Sequence, residues 1–466
     1  MALKILYVAT RWPWPIEMGR QRMIDQTLAF ASKYAEVHLI AFADARFAKA
    51  PAPAHIASSR KVRMSSLPGV VRSLLTNPGL PLQSHLFLNG KVRSELLNAI
   101  DEIKPDVVIF DMARLYSLAR LIRRHHPKIR LVLDMDDRLS ERYRRMLDSR
   151  ASDPIGGTFA ARLPGPLRAL SAVIPKFLLF TESHLMARIE RRANSLFDCI
   201  LMVSPIEADQ LNDDFTGAKA IGFPPLIEMR QTLPADFSKS LRFVFIGNAA
   251  YGPNAQALAE LDRIAARVKA EAPPGSVSFS FVTAGRPDPA LELAHVEQAG
   301  FVPDLGRFLA HDAVLVAPIL TGTGIKTKII DALEYAVPVV TTPVGAEGLS
   351  LEPGVHYLCA ADEDAFVAAL LRLVQSGEAR RELADMARAA RDVALAAHNR
   401  RVLSSRIRTA LGDGIALPAA AQPKAGAAVV SLLVALAGSG FPEEILGFAA
   451  SQTMPRSGIV QEGIAQ

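Results

Sequence analysis

Cysteine is nearly missing from this chain of 466 residues; the two present, Cys199 and Cys359, lie far apart inside apolar runs. That excludes a disulfide scaffold, offers no zinc-site spacing, and makes a reducing cytoplasm the expected compartment. No stretch of about twenty apolar residues occurs, so no bilayer span is expected. The best candidate, Ala425–Ala437, is too short and Ala-rich. The opening MALKILYVAT has no charged start, long apolar middle or small-residue cleavage site, and no secretory signal is expected. Aromatic residues are scarce at 6%. With neither an aromatic-rich binding sheet nor zinc-finger spacing, nucleic acid is not an expected partner.

What is present suffices for more than one core: 50% of residues are hydrophobic, and the length fits two domains with appendages. Near-continuous apolar runs at Leu3–Ala9, Glu36–Phe42, Asp106–Phe110, Ile129–Asp134 and Asp198–Ser204 read as buried strands, and Gly19–Tyr34 as a helix. This alternation predicts an α/β fold with parallel sheets covered on both faces. Residues 50–89 are less regular and read as a helical insertion or mobile loops. A proline-bearing stretch, Ile221–Lys239, reads as a linker. Strands are then expected at Leu241–Gly247, Ser278–Ala284, Asp312–Pro318, Val337–Thr342 and His356–Ala360. Helices are expected from Pro253, from Pro289, and over Asp362–Ser376 and Ala379–Leu411. The expected organisation is two Rossmann-like domains, 1–225 and 240–390, facing a central cleft, a closing helix at 391–412, and an Ala/Pro linker and tail at 413–466.

The net charge of +6 is unevenly spread. Arg114, Arg120, Arg123, Arg124, Lys128, Arg130, Arg138, Arg142, Arg144, Arg145 and Arg150 crowd one region. The crowd reads either as a solvated helix face or as a surface for anionic lipid or substrate.

Chemistry concentrates in Thr321–Gly348, TGTGIKTKIIDALEYAVPVVTTPVGAEG. Glycines allow close backbone approach, and a helix start offers unsatisfied N–H donors with partial positive charge. With Lys326 and Lys328 beside it, the segment reads as a diphosphate cradle. Asp331 lies about one and a half turns further on, where it can accept from a hydroxyl. Taken alone, the segment reads equally as an ordinary loop–helix–strand unit with solvated lysines.

Its neighbours are more specific. FVFIGNAAYGPNAQAL, SFVTAG, GFVPDLGRFLAHDAVLVAP, GTGIKTKIIDALEYAVPVVTTPVGAEGL and DEDAFVAALLRL follow one another from Leu241 to about Leu373. In that order and spacing they resemble a GT-B glycosyltransferase of the retaining family 4, or group 1. ILYVATRWPWPIEMGRQR, LDMDDRLSERYRRM and IERRANSLFDCILMVSPIEADQL resemble a subgroup associated with exopolysaccharide assembly. The resemblance covers roughly residues 3–410.

It implies transfer of a sugar from a nucleotide donor with retention of configuration, needing no metal and no cofactor. Lys326 is the implied diphosphate contact. Asp331 aligns with the second of two family acids and takes the ribose; the first falls on Thr323, which carries no charge. Gly324 and Ile325 belong to the same donor segment, while Lys328 lies on another helix face. Gly247 and Asn248 stand where other members carry an Arg and a Lys on the phosphates. Gly19 resembles the N-terminal glycine loop, with Arg20 or Arg22 to compensate. Val302 and Pro303 match the loop that holds the base. Many members place a histidine where this chain has Phe110 and Asp111. Asp134, Asp136 and Asp137 end a strand, and with Asp111 they are acceptor-side candidates; the alternative is a helix cap and salt bridges to nearby arginines. A D-x-D run holds a divalent cation in a different transferase fold, whose layout is missing here, so no metal is expected. The resemblance also implies that the leaving diphosphate serves as base, its charge stabilised by Lys326 and helix N–H groups.

The implied partners are a UDP-, GDP- or ADP-linked sugar, a lipid-linked or other glycan acceptor, and an anionic membrane surface. The implied place is cytoplasmic, peripheral at the inner face of the plasma membrane. The departures at Thr323, Phe110–Asp111 and the basic pair leave a second reading open: a degenerate GT-B domain that binds nucleotide or scaffolds a polysaccharide assembly complex.

Overall fold

The chain runs through two parallel sheets in turn. The first comprises β1 (Leu3–Ala9), α1 (Gly19–Ala31), β2 (Ala35–Phe42), β3 (Ser58–Val62), α2 (Leu67–Thr76), α3 (Gly90–Ile103), β4 (Val107–Asp111), α4 (Tyr116–His125), β5 (Arg130–Asp136), α5 (Leu139–Asp148), α6 (Pro175–Leu196), β6 (Cys199–Met202), α7 (Pro205–Asp214) and β7 (Ala220–Gly222). Its strand order is β3-β2-β1-β4-β5-β6-β7, all parallel. The second comprises β8 (Ser240–Ile246), α8 (Gly252–Glu271), β9 (Ser278–Ala284), β10 (Glu297–Gly300), α9 (Leu305–Phe308), β11 (Ala313–Ala317), α10 (Thr327–Glu334), β12 (Val339–Thr341), α11 (Pro343–Ala346), β13 (Leu358–Cys359), α12 (Glu363–Gln375), α13 (Gly377–Ala397) and α14 (Arg400–Leu411). Its order is β10-β9-β8-β11-β12-β13. This is a computed structural model, and it describes residues 3–47, 49–148, 175–230 and 236–412. Arg150, residues 231–235 of the proline-bearing stretch, Ala425–Ala437 and the expected linker and tail at 413–466 lie outside the described residues.

Burial on both faces explains the continuous apolar runs. Along β1, Ile5, Tyr7 and Ala9 enter one core while Leu6 and Val8 enter another. Neither face of the strand meets water, so no polar alternation is left in the sequence. The two-domain α/β fold is therefore as expected.

Three expectations differ. Residues 50–89 include an edge strand, β3, whose residues are exposed or half-buried except Val62; a polar edge strand leaves no apolar signature. No helix forms from Pro289. Asp288 accepts from the N–H of Ala290 at 3.0 Å, and Asp262 takes the N–H groups of His295 and Val296 at 2.7 and 3.1 Å. These bonds draw backbone donors away from a helix and lead the chain into β10. Last, Ala379–Leu411 is two helices, broken at His398. Asn399 caps α14 by accepting from Val402 N–H at 3.0 Å, while the His398 carbonyl accepts from Ile227 N–H at 3.0 Å.

That break turns α14 back onto the N-terminal domain. Arg130 Nε donates to the Ala410 carbonyl at 2.8 Å, and Arg406 donates to the Gly222 carbonyl at 2.9 Å. The chain thus crosses between domains at two places, around Phe223–Ile227 and at His398–Asn399. The C-terminal edges of both sheets carry the loops from which the candidate site is built.

Candidate active site

In the N-terminal sheet, β1 lies where the strand order reverses, between β2 and β4. Open α/β sheets present their ligand crevice at such a point. Gly19 begins α1 there, so close to the other domain that a Cβ on it would stand 3.0 Å from Thr327 Cγ2. Arg20 follows and turns inward. It donates to Asp111 Oδ1 at 2.8 and 2.6 Å through Nε and Nη2, and pairs with Asp134 Oδ1 at 2.8 Å and Asp136 Oδ1 at 3.3 Å. Burial disfavours its charge, but Asp134, Asp111 and Asp136 more than offset this and hold its pKa well above the ordinary value. Burial likewise works against ionised Asp111, yet Arg20 and the Thr10 hydrogen bonds leave its carboxyl below the usual range. The remaining oxygens are taken too: Thr10 N–H donates to Asp111 Oδ2 at 2.7 Å, and Tyr7 and Thr27 donate to Asp134 Oδ2 at 2.8 and 3.1 Å. Of the two sequence readings of Asp134 and Asp136, the ion pair is the one present, and Asp111 shares it; each carboxylate oxygen of Asp111 and Asp134 already has a protein partner.

Asp137, the next residue, leaves this cage and faces the other domain. Its Oδ2 accepts from the hydroxyl of Thr323 and pairs with Arg142 of α5. Arg142 Nε also donates to Thr323 Oγ1 at 3.1 Å. One turn on, Arg145 grips Glu347 through both terminal nitrogens at 2.7 and 2.8 Å and donates to the Gly322 carbonyl at 3.2 Å.

The loop these arginines hold is the glycine–lysine segment after β11. Gly322 and Gly324 have φ of +128° and +69°, which favours glycine at both positions. Lys326 is the N-cap residue of α10 and offers no side-chain cap; its carbonyl accepts from Ile329 N–H at 2.9 Å, so the N–H groups of Thr327 and Lys328 are the first-turn donors left for a ligand. Its ammonium donates to the Gly324 carbonyl at 2.6 Å and lies 3.8 Å from Glu347. Burial pulls its pKa down to about 8 even though Glu347 and Glu207 oppose the shift. Lys328 is buried differently: Nζ donates to Asn254 Oδ1 at 2.6 Å and sits 3.9 Å from the Phe245 ring centroid. Burial, then Lys326, bring it down to about 7. Asp331, further along α10, is paired with Arg22 of α1 at 2.6 Å, and Glu334 with the same arginine at 3.2 Å. Burial raises Asp331, with Arg22 opposing.

The other expected positions lie along the same sheet edge. A Cβ on Gly285, after β9, would fall 1.9 Å from the Gly247 carbonyl oxygen, so the loops after β8 and β9 touch backbone to backbone. Asn248 accepts from Ala250 N–H at 3.0 Å and shapes the turn into α8. Ile325 is buried, and Val302 and Pro303 follow β10 at the outer edge of the sheet. The structure therefore brings Gly19, Thr323, Gly324, Lys326, Asp331 and Asp137 to one seam. It leaves Val302 and Pro303 at the far end of that edge.

Four residues of the seam carry no sequence assignment of their own: Arg142, Arg145, Glu207 and Glu347. The arginines were visible only as part of a crowd. Among the described residues no group of three or more His, Cys, Asp or Glu is arranged to hold a metal ion, and no helix is long and apolar enough to cross a membrane.

Residues 240–376 match the family described as glycosyl transferases group 1, under a third of the chain. No curated protein matches. Among solved structures the chain is similar to sucrose-phosphate synthase from Thermosynechococcus elongatus at 12% identity, over 87% of this chain and 98% of that one, with a TM-score of 0.59. It is similar to the Anabaena protein HepE in complex with UDP at 14% identity, over 88% of this chain and 100% of that one, TM-score 0.58. WaaG, a glycosyltransferase involved in lipopolysaccharide biosynthesis, aligns at 14% identity over 88% and 99% of the two chains, TM-score 0.53. At such identities the likeness establishes the two-domain GT-B fold.

Proposed function

We propose that this chain, a glycosyltransferase by its group 1 domain and its GT-B fold, moves a sugar from a nucleotide-sugar donor to a glycan acceptor with retention of configuration. The observation that carries the reading is Lys326 at the uncapped start of α10, behind two left-handed glycines and against the first turn of α1. A diphosphate there meets the Lys326 ammonium and the N–H groups of Thr327 and Lys328 at once. As the bond between the sugar's anomeric carbon and the diphosphate breaks, charge grows on the leaving oxygen. Lys326 and the helix N–H groups stabilise that charge more than the ground state. The acceptor oxygen bonds to the anomeric carbon, and its proton passes to the departing diphosphate.

On this reading the acceptor enters along residues 1–225 and the donor's nucleotide sits on residues 240–390, with neither metal nor cofactor. The Anabaena HepE structures hold UDP and UDP-glucose. That supports a UDP-linked sugar first, with GDP and ADP forms to be compared. A lipid-linked acceptor in exopolysaccharide or other surface polysaccharide synthesis fits the sequence resemblance and the likeness to WaaG. Support for an anionic membrane face at the cytoplasmic side is narrower than the arginine crowd suggested. Arg123, Arg130, Arg138, Arg142 and Arg145 are turned onto protein partners. Arg120, Arg124 and Lys128 are exposed, as are Leu67, Val71 and Leu75 along one side of α2.

Isothermal titration with UDP, GDP and ADP tests the donor site. One of them is expected to bind, and Lys326→Ala to weaken it roughly ten- to hundredfold, the loss expected for a charge-assisted contact. If no nucleoside diphosphate binds the wild-type protein, the reading fails.

A further inference from the structure

Two carboxylate oxygens near the donor loop have no hydrogen-bond donor and no solvent: Oδ1 of Asp137 and Oε2 of Glu207. Asp137 is 2% exposed, and only its other oxygen is engaged, by Thr323 and Arg142. Glu207 stands in the first turn of α7, where Ser204 Oγ accepts its N–H at 3.2 Å. Both belong to the C-terminal edge of the N-terminal sheet, and both adjoin loops of the other domain. A Cβ on Gly324 would lie 3.7 Å from Asp137 Cβ, and one on Gly348 would lie 3.1 Å from Ser204 Oγ.

Buried polar oxygens nearly always have a partner, and an orphaned one is costly. Two of them, Asp137 beside the loop that carries Lys326 and Glu207 near enough to Lys326, Glu347 and Asp137 for their charges to shift it, mark a place where a ligand brings the missing donors. Neutral hydroxyls suit it best. The cations needed here are already present as Lys326, Arg142 and Arg145, and a further cation would compete with them for the same acids. Burial, then Asp137 and Glu347, push Glu207 up to about 8. The pair therefore adds less negative charge at neutral pH than two ordinary carboxylates beside a diphosphate site.

We propose that Asp137 and Glu207 hold hydroxyls of the donor's sugar ring, supplying from the N-terminal domain the carboxylate that Thr323 does not supply from the C-terminal one. This rests on the nucleotide-sugar reading and specifies which residues read the sugar. Recognition is divided: Lys326, the start of α10 and Asp331 grip the nucleoside diphosphate, while the acids of the facing domain grip the sugar. A free nucleoside diphosphate does not depend on Asp137 or Glu207, and its sugar conjugate does.

The test is titration of UDP, GDP and ADP, and of UDP-glucose, GDP-mannose and ADP-glucose, into the full-length protein. Wild type is compared with Asp137→Asn, Glu207→Gln and the double variant Asp137→Asn/Thr323→Glu, each first checked by thermal melting. Each single substitution is expected to weaken the bound sugar conjugate roughly tenfold and to change its free diphosphate by less than about twofold. Thr323→Glu returns an acid to the loop and is expected to restore most of what Asp137→Asn loses, which a merely structural Asp137 would not permit. Equal losses for diphosphate and conjugate, or no loss for either, overturn this inference and leave the donor site standing. A wild-type protein that binds no diphosphate overturns the underlying reading as well. If Asp137→Asn melts too low to titrate, Glu207→Gln decides, because the altered oxygen has no partner to lose.

Discussion

Arg22 reaches from α1 across the seam and donates to Asp331 on α10 at 2.6 Å, the carboxylate assigned to the ribose. On the proposed reading the arginine occupies the oxygen that the nucleotide would use. Both side chains are partly exposed, 29% and 18%, so the pair is worth only about 0.5–1 kcal/mol. Arg22→Gln is expected to tighten nucleoside diphosphate binding about two- to fivefold, and to sharpen the preference over the 2′-deoxy form. Weaker binding would instead put Arg22 on the phosphates. Asp331→Asn should cost affinity for the ribonucleotide and spare the deoxynucleotide; equal losses would remove Asp331 from the ribose.

A pH profile follows from Lys326, whose amine burial brings to about 8. Below that value the free protein already holds the proton that an anion favours. Above it the proton must be taken up on binding, so affinity falls by up to about tenfold per pH unit. Lys326→Arg stays charged throughout and should flatten the profile. Glu207 titrates in the same range, so the series is repeated in Glu207→Gln. Titration calorimetry between about pH 6.5 and 9.5 measures the profile. Undiminished wild-type affinity at the upper end would take the Lys326 amine off the diphosphate.

Arg20 is a matter of stability. Removing it by Arg20→Met leaves Asp111 and Asp134 buried without their counter-charge, expected to cost about 3–5 kcal/mol. Arg20→Lys should recover little, because one ammonium cannot present the planar fork that reaches three carboxylates. Urea unfolding measures both, and a Met variant as stable as wild type would refute the cage.

His398 sets an acid limit. Burial, with Arg406 adding to it and the Pro225 carbonyl opposing, lowers its pKa to about 4. The folded pKa is lower than the unfolded one, so the unfolded chain takes up the proton first as pH falls. The contribution is complete above about pH 6.5 and is lost towards pH 4, on the order of 3 kcal/mol. His398→Gln should be less stable at neutral pH yet show a shallower decline in urea midpoint across that window. An identical decline would assign the acid sensitivity elsewhere.

Strands were legible where burial on both faces erased polar alternation. Leu3–Ala9 and Ser278–Ala284 are strands over the residues that their apolar runs span. The edge strands were not: β3 reads SSRKV and β10 reads EQAG, neither with a core face to write. The break at His398 has no glycine or proline to announce it, since the bond that shapes it comes from Ile227. The site divides in the same way. The glycines and lysines of the loop after β11 form a local pattern because the backbone must turn there. Arg22 and Asp331 are 309 residues apart, and Asp137 and Thr323 are 186 apart, so no local pattern relates them. Neighbouring Asp136 and Asp137 read alike in sequence, yet one is bound to Arg20 and the other to the facing domain.

Two segments of chain join the domains, and they are bonded to each other: Ile227 N–H to the His398 carbonyl and His398 Nδ1 to the Pro225 carbonyl, each at 3.0 Å. Two crossings pinned to each other make this point a natural hinge, and a swing about the line through the pins disturbs fewer of these bonds than a slide or a stretch. A substitution at Pro225 or His398, neither of which is in the seam, is then expected to alter how readily the domains swing while leaving the seam's side chains in place.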